Sequence, residues 1–145
     1  MSKSLEAVKI FNSGFNCAQA VLAAFCEPLG LDRPTALKVA SGFGGGLGAQ
    51  GEICGALTGA IMALGLKFGS GEADAAAKAE TYRKTRQLAE EFKLRTGSLY
   101  CRDLLGFDLG TPQGQIQAKV PGSFEKCDDF VRIAAEILEE MFDAL

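Results

Sequence analysis

The chain has 145 residues, 48% of them hydrophobic, with a net charge of −3 and five cysteines but no histidine. That length is the size of one domain, and the apolar share suffices for one core without metal or disulfide staples. The mild acidity, with basic and acidic side chains interleaved, argues against nucleic acid as a partner, and the missing imidazole removes Cys-His proteolysis, His-ligated zinc and histidine general-base catalysis.

Leu5, Val8 and Phe11 recur at helical spacing ahead of Gly14, which predicts a first helix from about residue 3 to 12. Charged residues Lys3, Glu6 and Lys9 interrupt this stretch, so it does not read as a signal peptide, and the expected location is cytoplasmic. Asn16 followed by Gln19 is a capping-box pattern that places Cys17 in the first turn of a second helix, running through Val21, Leu22 and Phe25 to about Pro28–Gly30. Asp32 with Pro34 signals a short helix over about 33–41.

Six glycines then fall within the ten residues Gly42–Gly51, which predicts a closely packed loop that presents amides toward Cys54. From Cys54 to Leu66 the chain reads as a buried core helix: the apolar run Ile53–Leu66, 14 residues, is short of the about 20 that a membrane span needs. Gly55, Ala56, Gly59, Ala60 and Ala63 give it a thin face for a close neighbour. Glu72–Arg95 is predicted as a long amphipathic helix with Tyr82, Ala89 and Phe92 inward and Arg83, Lys84, Arg86 and Lys93 solvated; its length suggests a homodimer.

Cys101 opens a short helical piece to Leu105, and Gly106–Gly122 reads as a long loop. Ser123 is expected to cap a last helix whose inward stripe is Phe124, Cys127, Val131, Ala134, Leu138, Met141 and Leu145. No segment alternates with a period of two. The prediction is therefore a single all-α domain, an irregular bundle of about five to seven helices with a glycine-rich loop.

Cys17, Cys54, Cys101 and Cys127 are thereby placed in the first turns of four different helices, where unpaired amides and the positive end of the helix dipole favour a thiolate. Arg102 and Lys126 are adjacent cations, and Glu52 opposes them near Cys54. Cys26, nine residues after Cys17, is predicted to be packing. Two chemistries fit four such cysteines: thiol–disulfide exchange, which needs no cofactor, or ligation of zinc or an iron–sulfur cluster. The second lacks the C-x-x-C pairs that usually supply chelation. Gly44-x-Gly46-x-x-Ala49 matches the dinucleotide fingerprint only in part, with no preceding strand and no Walker lysine.

Cys54-Gly55-Ala56-Leu57-Thr58-Gly59, the glycine stretch before it, Cys17 within Phe15–Val21, Cys101 before Leu104-Leu105-Gly106, and Cys127 together resemble the C_GCAxxG_C_C family of redox-active proteins. The resemblance covers nearly the whole chain, leaves Cys26 as the surplus cysteine, and implies redox use of the other four. The resulting expectation is a thiol–disulfide oxidoreductase in which Cys54 attacks and Cys17, Cys101 or Cys127 resolves, with a redox partner protein or a small thiol as its counterpart.

Overall fold

The structure, a computed structural model, describes residues 2–143. Eight α-helices form among these residues, one more than the upper bound predicted: α1 (Lys3–Asn12), α2 (Cys17–Phe25), α3 (Arg33–Val39), α4 (Gly55–Phe68), α5 (Ala75–Thr96), α6 (Cys101–Leu105), α7 (Pro112–Ala118) and α8 (Cys127–Asp143). No strand occurs among the described residues, and no helix is long and apolar enough to cross a membrane.

The helix starts follow their capping chemistry. Ser2 accepts from the Leu5 amide at 3.2 Å and Asp32 from the Thr35 amide at 3.0 Å. Both halves of the capping box at α2 are made: Asn16 Oδ1 accepts from the Gln19 amide, and Gln19 Oε1 from the Asn16 amide, each at 2.9 Å. α2 is thereby fixed as the central helix, buried from Ala20 to Phe25 and packed on α1, α3, α4 and α8. Full burial of Val21, Leu22 and Phe25 stabilises the fold by about 1.5–3 kcal/mol each.

Five sequence expectations change. α5 begins at Ala75, not Glu72, because the Asp74 carboxylate accepts from the Ala76 and Ala77 amides. It docks through Leu88 and Phe92, whereas Tyr82 is 55% exposed. Lys84, expected in water, lays its ammonium 4.3 Å from the Phe68 ring centroid, where its stem covers apolar surface. The predicted loop 106–122 contains α7, started by Thr111, whose hydroxyl accepts from the Gly114 amide at 3.0 Å, with Pro112 at the first position. Ser123 caps nothing at α8: its hydroxyl donates to the carbonyls of Gln117, in the last turn of α7, and Val120 just beyond it, and α8 starts four residues later at Cys127.

The predicted inward stripe of α8 is otherwise observed, with Cys127, Val131, Ala134, Leu138 and Met141 all buried. Phe124 precedes the helix and is 38% exposed, and Leu145 lies outside the described residues. The glycine segment is a tight loop: a one-turn 3₁₀ helix over Ser41–Phe43, then left-handed backbone at Gly45 and Gly46 with φ of 62° and 67°. A Cβ at Gly46 would stand 2.6 Å from the Glu52 nitrogen and 2.8 Å from Cys101 Cβ, so only glycine lets the loop lie against the start of α6.

Candidate functional site

Cys17, Cys101 and Cys127 are the first residues of α2, α6 and α8. Cys54 sits one step earlier than predicted, as the extended residue capping α4 (φ −55°, ψ 131°). The four belong to segments far apart in sequence, yet all of them line one cavity of about 380 Å³. Cys26 does not: it is fully buried near the end of α2, and its thiol donates to the Ala23 carbonyl at 3.5 Å.

Two glycines of the Cys54–Gly59 motif allow the approach of α2. A Cβ at Gly55 would meet Cys17 Sγ at 2.8 Å and the Phe43 carbonyl at 3.0 Å, and one at Gly59 would meet the Ala18 carbonyl oxygen at 2.5 Å. Gly55 therefore leaves room for the sulfur, and Gly59 for the backbone that carries it. A short antiparallel link then joins the second and third cysteines. Ile53 pairs with Tyr100, the Cys54 amide donates to Leu99 O at 2.8 Å, and the Cys101 amide donates to Glu52 O at 2.7 Å. Cys127 is carried by α8, which packs on α1, and shares a small apolar cluster with Cys101, Leu105 and Leu109.

The electrostatics single out Cys17. It is half-buried, whereas Cys54, Cys101 and Cys127 are buried. The neighbouring Cys54 thiol, against the cost of burial, brings Cys17 down from 9.0 to about 7; the amides of Gly45, Cys17 and Ala18 assist. The proximity of Cys17 in turn raises Cys54 well above 9.0, with burial and the Cys17 charge adding to it. The two sulfurs thus titrate as a pair, Cys17 below the ordinary thiol range and Cys54 above it.

Placement at a helix start does not by itself make a thiolate. Burial, followed by the charge of Cys17, pushes Cys101 up to about 11 and Cys127 up to about 12. The expected low-pKa nucleophile, Cys54, is the raised member of the pair, and the glycine loop directs an amide to Cys17 instead of Cys54. Arg102 pairs with Glu52 at 3.1 Å and lies over the Tyr100 ring, so the two charges flanking Cys54 and Cys101 compensate each other.

The rest of the lining was not anticipated from sequence. Phe11, Phe15, Leu104, Leu105, Phe124 and Phe130 complete the wall. Phe15 stands two residues before Cys17, Leu104 and Leu105 follow Cys101, and Phe124 and Phe130 each stand three residues from Cys127, so large apolar neighbours of the cysteines were the available signal. All five cysteines are free thiols, and no group of three or more His, Cys, Asp or Glu among the described residues is spaced to hold a metal ion. The zinc or iron–sulfur alternative thus finds no ready-made ligand set in this conformation.

A family model described as "Putative redox-active protein (C_GCAxxG_C_C)" matches residues 15–141. An uncharacterized protein of Archaeoglobus fulgidus is 38% identical over 62 residues, a stretch covering 42% of this chain and 41% of that relative. No solved structure matches the chain.

Proposed function

The chain belongs to the C_GCAxxG_C_C family, described as redox-active, and from that premise we propose that it carries out thiol–disulfide exchange with Cys17 as the attacking thiolate and Cys54 as the resolving thiol. The observation that carries this reading is the single cavity that brings Cys17 together with Cys54, Cys101 and Cys127, with Cys54 the largest influence on Cys17. At neutral pH about half of Cys17 is thiolate at a pKa of about 7, close to the optimum for an attacking thiol.

Attack by Cys17 on a disulfide forms a mixed disulfide and releases one thiolate. The Cys17 charge is then gone, and with it two of the causes that raise Cys54, which leaves burial and Cys101 opposed by the Ala56 amide. Cys54 can then give up its proton to the departing group and attack Cys17 sulfur, closing a Cys17–Cys54 disulfide and releasing the second group as a thiolate, which takes its proton from solvent. Cys101 and Cys127, kept protonated by burial, are the reserve resolving thiols on the same wall. A small thiol or a redox partner protein would restore the dithiol, a cycle suited to a reducing compartment such as the cytoplasm.

The test is alkylation by iodoacetamide against pH, with each cysteine followed by peptide mass. Cys17 should react first, with a midpoint near pH 7, and one equivalent of disulfide oxidant should crosslink Cys17 to Cys54; in Cys54→Ala the mixed disulfide on Cys17 should persist. A midpoint at or above 9, a first crosslink that omits Cys17, or stoichiometric zinc or iron on the anaerobically purified protein would overturn the reading.

A further inference from the structure

A nucleophile specifies a reaction, while the walls around it specify what can reach it. Beside the four cysteines, the cavity is lined by the six large apolar side chains above, three glycines and Asn16, with no lysine, arginine, aspartate or glutamate among the described residues that line it. Asn16 is already committed: its Oδ1 accepts from the Gln19 amide and its Nδ2 donates to Ser41 O at 3.1 Å. An anionic group entering here would lose its water and find no cation, which is costly. The volume of about 380 Å³ falls at the lower end of sites for small organic molecules, about 300–1,000 Å³. A folded protein's disulfide would have to reach past the aromatic rim.

We propose that the cavity takes a small, uncharged, largely apolar disulfide, with its sulfur–sulfur bond over Cys17 and its organic flanks against Phe15, Phe124 and Phe130. This rests on the exchange reading and gives that reaction its substrate class. The balance is complete without another reactant. Cys17 thiolate takes one sulfur and releases the other as a thiolate. Cys54 attacks Cys17 sulfur, its proton passing to the released thiolates, and a second proton from solvent completes the two product thiols. The substrate is reduced by two electrons as the Cys17–Cys54 dithiol is oxidised to a disulfide.

The test compares two chromogenic aromatic disulfides in single turnover with the reduced protein. One, 4,4′-dithiodipyridine, is neutral at pH 7; the other, 5,5′-dithiobis(2-nitrobenzoate), is a dianion. Each rate is divided by that of 2-mercaptoethanol with the same reagent, which removes intrinsic reactivity. The neutral reagent should be favoured by about tenfold or more after this division. Phe15→Lys and Phe124→Lys, both at wall positions more than a third exposed, should each shift the preference toward the dianion by at least threefold in folded protein, as checked by circular dichroism. Because both reagents meet the same nucleophile, any change in Cys17 ionisation cancels in the ratio. A ratio near one, or a ratio that neither lysine moves, overturns this substrate class while leaving exchange intact. Rates for both reagents no faster than on the urea-unfolded chain overturn exchange itself, and the substrate class with it.

Discussion

Gly55→Ala places a methyl group 2.8 Å from Cys17 Sγ, 3.0 Å from the Phe43 carbonyl and 3.2 Å from the Ala18 nitrogen. Two of these three neighbours are backbone, so relief must come from moving the sulfur or from tilting α2 off α4. Overpacking of this kind costs about 1–3 kcal/mol, and as the first residue of α4, Gly55 offers little helix-propensity gain to offset it. The net loss should be about 1–2 kcal/mol, or about 3–6 °C in Tm for a chain of this size. Gly65→Ala in the same helix is the matched control: nothing lies within 4 Å of its Cβ, and it should stabilise by about 0.5–1 kcal/mol.

The two variants should also part in reactivity. If the methyl displaces the Cys17 sulfur from the Cys54 thiol, Cys17 loses the largest cause of its lowered pKa. In the limit of a return to 9.0, its thiolate fraction at pH 7 falls from about one half to about 1%, and alkylation slows by about 50-fold. Urea unfolding under reductant and iodoacetamide kinetics at pH 7 read both effects. Gly55→Ala stability that rises like that of Gly65→Ala, with Cys17 alkylation unchanged, would refute the claim that this glycine exists to admit the sulfur.

Gly59→Ala should cost more than Gly55→Ala, about 3 kcal/mol by urea unfolding, because its Cβ would stand 2.5 Å from a backbone oxygen of Ala18 that cannot rotate away. Stability should depend on pH in two opposed windows. Cys17, lowered to about 7, stabilises the fold increasingly from pH 7 to 9 and loses that contribution as pH falls through 7. Cys101 and Cys127, raised to about 11 and 12, do the reverse above pH 9, where their unfolded thiols ionise and the folded ones do not. Cys127→Ala should accordingly lose about 1.5 kcal/mol less than the parent between pH 9 and 10.5, measured by urea unfolding under reductant. Thr111→Ala should cost about 1 kcal/mol through loss of the cap that starts α7, and an unchanged urea midpoint would refute that role.

Local chemistry was legible where it is self-contained. The Asn16/Gln19 box, the Asp32 start and the short helix from Cys101 to Leu105 need no information from elsewhere in the chain, and their starts match the structure, although α2 ends at Phe25 ahead of the expected Pro28–Gly30. α7 was missed because Gly110, Gly114 and Pro112 read as loop residues. What makes the helix is the Thr111 cap together with close packing of Gly114 against Asp108, where a Cβ would collide with the backbone. Tyr82 departs from expectation because helical spacing gives a face only to within its width, and the neighbours α4 and α8 take Leu88 beside the expected Phe92.

The amino-acid order alone determined the all-α class, the four cysteines at helix starts and the family they belong to, since caps, helical spacing and a six-residue motif are written within short stretches. Tertiary structure decided which sulfur carries the charge. A thiol's ionisation depends on burial and on the groups that point at it, and here those are Cys54 and Gly45, delivered to Cys17 by α4 and the glycine loop across some thirty residues of chain. The apolar walls around the four sulfurs arise in the same way, assembled from segments that share no local pattern.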